Sequence, residues 1–142
     1  MFANAKMRAA IAVSLGAIAG ALCRHYISQV LMHLLGSTFP WGTLGVNLSG
    51  CWLLGAVTVW LNHRGPQQPE IVLLLTTGFL GAYTTFSAYE LDLVSLVDRP
   101  SLISDLIYGF GSLLLGLGCL GLGMLTATVI WSRPHRDRSS ID

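Results

Sequence analysis

The sequence predicts an all-α integral membrane protein of four transmembrane helices. Three observations predict it. Just 11% of the residues are charged while 53% are hydrophobic, which is the composition of a membrane protein. The charges gather at a few places (Lys6 and Arg8, His63 to Glu70, Glu90 to Arg99, Arg133 to Asp142), and the apolar stretches between them each reach the roughly 20 residues needed to cross a bilayer. Pro40, Pro66, Pro69, Pro100 and Pro134 all fall at the ends of those stretches, so none interrupts a span.

The first span is placed at about 9–35. Its opening, "MFANAKMRAAIAVSLGAIAGA", has the basic start and Ala-x-Ala ending of a cleaved signal peptide, but the apolar character runs on past Ala21 to Leu35, so it reads as a helix that is kept. The second is placed at about 41–62, the third at about 70–97 and the fourth at about 101–132, with a basic tail over 133–142. Together they make one four-helix domain with no room for a soluble one, and both ends lie on one side. The basic residues bias those ends toward the cytoplasm through Lys6, Arg8, Arg64, Arg133, Arg136 and Arg138, against Arg99 and Arg24. Without the tail the count is three against two, a balance compatible with insertion either way up.

Small residues recur at packing intervals. Gly16 and Gly20 in the first span, and Gly109, Gly116 and Gly123 in the last, form stripes along which helix backbones can approach closely in lipid. Cys23, Cys51 and Cys119 all sit inside apolar spans and read as small buried residues. His25, His33, His63 and His135 have no metal-ligand spacing. A net charge of +1 with the basic residues at helix ends makes no nucleic-acid patch. There is no paired carboxylate with a histidine partner, no Ser/His/Asp arrangement and no metal motif, so the chain does not read as an enzyme.

Polar groups inside hydrocarbon are costly and are read as functional. Arg24 lies well inside the first span with no acid before Glu70; it reaches an aqueous vestibule, meets a carboxylate from a later helix or snorkels to an interface. Asn47, in "GTLGVNLSG", is either interhelical glue or a donor to a small anion. Tyr108 and Ser112, four apart, put two hydroxyls on one face of the last span. In the third, "GFLGAYTTFSAY" is a poor helix interior, and the reading is a break at Gly81 to Thr85 that frees backbone groups for protein, water or an ion. Phe86 and Tyr89, three apart, share a face just after it. Their electropositive ring edges, beside hydroxyls, could stand in for part of an anion's hydration without trapping it.

These segments resemble the bacterial fluoride channel family known as Fluc or CrcB. "GAIAGALCRHY" is similar to its Gly-rich first helix ending in Arg, "PWGTLGVNLSGCWLLG" to its Gly-Thr-x-x-Val-Asn-x-x-Gly segment, and "GFLGAYTTFSAYELD" to its Gly-Phe-x-Gly-x-x-Thr-Thr-Phe-Ser-Thr-Phe signature. The resemblance covers about 130 residues. It implies a passive fluoride channel of the bacterial inner membrane: an antiparallel, dual-topology dimer of four-helix subunits with two pores, a third helix broken mid-membrane and a structural sodium ion at its centre. Carried onto this chain, it implies that Asn47, Phe86, Tyr89, Thr85, Ser87, Tyr108 and Ser112 line the pore, that Arg24 is the vestibule arginine, and that Gly81 and Thr84 offer backbone carbonyls to sodium. It implies a homodimer, with a heterodimer with a paralogue also open. Hydrogen fluoride that enters uncharged and dissociates inside would leave as the trapped anion, which protects the cell.

Two positions depart from the signature. Ala88 and Tyr89 stand where the family usually has Thr and Phe. The phenol adds a hydroxyl donor at the ring's tip, so the expectation is a working channel with altered throughput. The rival readings are a small proton-coupled multidrug-type transporter, which would want a glutamate in the first helix that this chain lacks, and a non-transporting tetraspan subunit, which Arg24 and Asn47 do not suit.

Overall fold

The computed structural model describes residues 2–65, 67–97 and 102–131, with side chains described over 4–65, 67–96 and 106–131. Arg99 and the basic tail over 133–142, which the orientation count uses, lie outside the described residues, as do Pro66 and Pro100. Every regular element described is helical: α1 (Phe2–Leu35), α2 (Trp41–Arg64), α3 (Pro69–Leu73), a π-helical stretch (Leu74–Leu80), α4 (Gly81–Tyr83), α5 (Phe86–Val97) and α6 (Leu102–Trp131). They make four runs long and apolar enough to cross a membrane, and the chain is a multi-pass membrane protein.

Local chemistry sets the ends. α1 starts seven residues before its predicted boundary, because Ala3, Ala5, Lys6 and Met7 are good helix formers and a positive charge does not stop a helix. It stops where Gly36 takes φ 87°, a left-handed geometry that suits glycine, and donates its N–H to the Met32 carbonyl at 3.0 Å. Gly65, at φ 74°, closes α2. Pro69 opens α3 at a position where its missing N–H is no loss, and Glu70 in that first turn suits the positive end of the helix dipole. Glu70 also meets Arg8 of α1 at 3.1 Å. Both groups have access to solvent, so the pair is worth at most about 1 kcal/mol.

Packing divides the bundle into two close pairs. α1 lies on the π-helical stretch and α4, and α2 lies along α6. In the first pair the seam is backbone on backbone: a Cβ on Gly78 would stand 2.8 Å from the Val13 carbonyl oxygen, and one on Gly16 would stand 2.8 Å from the Phe79 nitrogen. Gly20 faces the Tyr83 nitrogen in the same way. In the second pair, Gly55 faces the Leu120 carbonyl and Gly123 the Trp52 carbonyl, while a Cβ on Gly116 would stand 3.5 Å from the Cys51 sulfur. Gly109, the third member of the predicted stripe on α6, faces Leu93 and the Tyr89 hydroxyl on α5 instead. The bundle's outer surface is apolar, with Leu34, Leu91, Leu114, Leu117 and Val129 all exposed, as lipid or a partner requires.

Between α4 and α5 the backbone leaves helical geometry. Thr84 takes ψ 153°, and helix resumes at Phe86. Thr84 still donates both its N–H and its hydroxyl to the Leu80 carbonyl, each at 3.0 Å, which ties off the end of α4. On the other side Thr85 Oγ1 accepts the Ala88 N–H at 3.2 Å and so caps α5.

Candidate functional site

The Thr85 backbone is the centre from which the site is built. Leaving the helix at Thr84 frees the N–H of Thr85, and a single side chain takes it together with the Thr85 carbonyl. Asn47 Nδ2 donates to the Thr85 carbonyl at 2.9 Å, and the Thr85 N–H donates to Asn47 Oδ1 at 2.8 Å. A carboxamide is the one neutral side-chain group with a donor and an acceptor side by side, so it can replace the neighbouring turn of helix that the bend removes. The cost falls one turn back. In a continuous helix the Thr85 N–H would bond the Gly81 carbonyl, four residues earlier; held by Asn47, it leaves that oxygen without its helical donor.

A cavity of about 620 Å³ opens beside this clamp. Asn47, Gly81, Thr84, Thr85, Phe86, Tyr89 and Ser112 line it, so seven of the ten positions singled out in the sequence come together on one wall system. Leu80, Leu113, Leu117 and Leu120 complete it with hydrocarbon. Phe86 presents its ring to that space with 64% of the residue exposed, 5.5 Å from the Tyr89 ring and tilted by 34° to it. Ser112, which lines the cavity, donates its hydroxyl to the Tyr108 carbonyl one turn back.

Three positions stand elsewhere. Tyr108 is 1% exposed: its ring is packed 5.5 Å from Tyr89 and edge-on to Phe39, and its hydroxyl donates to Asp92 Oδ2 at 3.0 Å. Helical spacing put Tyr108 on one face with Ser112, but the two part company because α5 covers the first and not the second. Ser87 is exposed at the start of α5 and pairs with the Thr85 hydroxyl at 3.3 Å. Arg24 lines a second cavity of about 600 Å³ between α1 and α2, which meets the first at Thr85. Of the three fates open to Arg24, an ion pair with a later helix is not the one seen: among the described residues the ion pair is Arg8 with Glu70. Arg24 is half-buried at the edge of an open, polar space.

The Tyr89 hydroxyl, the departure from the signature, donates to the Gly109 carbonyl of α6 at 2.8 Å. Two partners escaped the sequence reading: Asp92, which fixes Tyr108, and Ser49, whose hydroxyl pairs with the Tyr83 phenol at 2.8 Å. Ser49 lies two residues after Asn47, on a helix face that spacing alone does not connect to α4. Among the described residues no group of three or more His, Cys, Asp or Glu side chains could hold a metal ion.

Comparison with known proteins bears on the whole of this architecture. Residues 11–124 match the family model described as CrcB-like protein, Camphor Resistance (CrcB). The chain is similar to a protein of Synechococcus sp. (strain JA-2-3B'a(2-13)) named Fluoride-specific ion channel FluC, with 46% identity across 85% of this chain and 93% of that one. A protein of the same name from Trichormus variabilis is 44% identical, covering 88% of this chain and 92% of its own. Another, from Rhizobium leguminosarum bv. trifolii, is 40% identical over 81% of this chain and 92% of its own.

Proposed function

This chain belongs to the CrcB family, and from that premise we propose that it is a fluoride-selective channel that lets cytoplasmic fluoride leave passively down its electrochemical gradient. The observation that carries the reading is the cavity that gathers Asn47, Thr85, Phe86 and Ser112 around one bend in the chain. Fluoride is small and strongly hydrated, so a path for it must replace water by several weak donors and avoid a full positive charge that would hold it. Three features support that role. The Asn47 amide carries two donor hydrogens, and Thr85 takes one of them. The exposed Phe86 ring has an electropositive edge. Apolar walls of leucine keep the remaining surface from competing, and Arg24, set back in the adjoining cavity, raises anion concentration without entering the narrow part.

The active unit is an antiparallel dimer of two such chains, with α3 through α5 forming a third helix broken mid-membrane. Its apolar outer faces and nearly balanced loop charges support that arrangement, and a bacterial plasma membrane is its setting. The Gly81 carbonyl, deprived of its helical donor, and the extended Thr84 three residues on fit a hard cation that takes backbone oxygens, so Gly81 and Thr84 are the residues that would hold a structural sodium ion. Bound there, sodium would supply fixed positive charge and a shared ligand set for two chains. Conduction itself is assigned to the side chains above.

The test is fluoride efflux from liposomes containing this chain alone, followed with a fluoride electrode under a potassium gradient with valinomycin, beside chloride-loaded controls. Rapid efflux of fluoride and not chloride, lost in Phe86→Ala, supports the reading. Well-folded protein that releases neither ion refutes it.

A further inference from the structure

The bend is fastened to α2 at three consecutive residues, and one of those contacts has no part in either cavity. Asn47 takes the Thr85 backbone, Gly50 meets Thr84, and Ser49 meets Tyr83. We propose that Ser49 and Tyr83 are a positioning pair for the structural cation: the bond between their hydroxyls fixes the chain just before Thr84, and so the aim of the Thr84 carbonyl that a sodium ion would take. The proposal rests on the reading of Gly81 and Thr84 given above.

Neither residue lines the cavity at the bend or the one that holds Arg24, so the pair can act only through the backbone. Tyr83 is the last residue of α4 and 4% exposed, with its ring stacked on Phe79 one turn back, centroids 5.9 Å apart and planes within 5°. A Cβ on Gly20 of α1 would stand 3.1 Å from the Tyr83 nitrogen, and one on Gly50 of α2 would stand 3.2 Å from its ring. The tyrosine therefore fills the space between those two helices. Ser49 Oγ lies 2.7 Å from the Gly45 carbonyl and 3.0 Å from that of Val46, so its single hydrogen is engaged inside α2. The phenol is then the donor and Ser49 the acceptor, at 2.8 Å.

On α2, at about 100° per residue, Gly50 lies between its two neighbours, with Asn47 about 60° to one side and Ser49 about 100° to the other. The bend crosses that face in order: Tyr83 at Ser49, the Thr84 methyl where a Cβ on Gly50 would stand, Thr85 at Asn47. The Thr84 carbonyl and the Thr85 N–H belong to one planar trans peptide and point in opposite directions. With that N–H held by Asn47, the Thr84 carbonyl points away from α2. Asn47 holds the chain after Thr84, and the rigid phenol ring holds it before. A swing of the peptide about Thr84 has to strain one of the two.

The test is thermal unfolding of the full chain in detergent across a sodium series, with ionic strength held by a large organic cation, beside fluoride efflux from liposomes in the same series. A cation that binds the folded chain raises Tm once its concentration passes the dissociation constant. Tyr83→Phe keeps the ring and loses the bond. The sodium concentration at which Tm starts to climb, and that for half-maximal efflux, should both rise about five-fold, the equivalent of one hydrogen bond of about 1 kcal/mol, with maximal efflux within two-fold of wild type. Ser49→Ala should give the same shift, and the double variant no more than either. A Tm lowered equally at every sodium concentration, with both sodium midpoints unmoved, makes the pair a packing contact and overturns the proposal; so does a double variant whose shift is the product of the two. A wild-type Tm that ignores sodium overturns the cation reading and this proposal with it, while fluoride efflux that continues leaves the channel reading standing.

Discussion

Replacing Asn47 by alanine strands the Thr85 N–H and takes one of the partners of the Thr85 carbonyl. Thr85 is only 9% exposed, and its N–H has no helical acceptor to return to, because Thr84 has already turned out of the helix; its carbonyl, at the cap of α5, still faces the first N–H of that helix. A polar group left unpaired in such a place costs about 1–3 kcal/mol, and the variant is expected to lose about that much. For a chain of this size roughly 3 °C accompanies each kcal/mol, which puts the fall in Tm at about 3–9 °C. The assay is thermal unfolding of detergent-solubilised protein beside fluoride efflux from liposomes. Asn47→Asp sharpens it: one carboxylate oxygen can still accept the Thr85 N–H, but the other faces the Thr85 carbonyl with no hydrogen to offer and brings negative charge to the anion's path. Its stability should lie between those of wild type and Asn47→Ala, and its efflux should be the lower of the two variants. If Asn47→Ala melts within about 2 °C of wild type, the two hydrogen bonds do not hold the bend and the site is built some other way.

Other substitutions separate the neighbouring roles. Tyr89→Phe removes the hydrogen bond to Gly109 and should cost about 1 kcal/mol, yet leave fluoride affinity within two-fold, since the hydroxyl faces α6; a larger shift in the concentration dependence of efflux means that the phenol reaches the ion after all. Phe86→Ala truncates a ring that is mostly exposed, so Tm should move little while efflux falls at least ten-fold; the reverse pattern would make the ring a packing residue. Gly16→Val would drive a branched side chain into the backbone at Leu74 and Phe79 and should cost about 3 kcal/mol or more, read as lost yield and a lower Tm; normal folding would show that this seam can open.

The four apolar runs are legible in the sequence because span length and charge placement are properties of short segments. The boundary missed at the start of α1 shows the limit of that logic: Lys6 and Arg8 mark where hydrocarbon ends, and a helix can continue into water. Legible too is the set of polar residues that meet at the cavity, since polarity inside a span is visible residue by residue. What each of them touches is not. Asn47 and Thr85 are 38 positions apart, and no periodicity connects α2 to the bend. Tyr108 and Ser112 share a helix face, but which of the two α5 covers depends on where that helix crosses. The hydroxyl of Tyr89 is visible as an atom and its direction is not, because the Gly109 carbonyl that attracts it lies on another helix.

The two glycine seams have a mechanical meaning. Where backbone lies on backbone, there are no rotamers to exchange, and a small displacement meets either a hard contact or a gap. α1 with the π-helical stretch, and α2 with α6, are therefore stiff pairs, and any strain between them collects where side chains bridge one pair to the other. The Asn47 carboxamide is such a bridge, joining α2 to the bend. A binder or a change of lipid thickness that slides one pair against the other by a few tenths of an ångström would be felt first there, at the clamp on the Thr85 backbone.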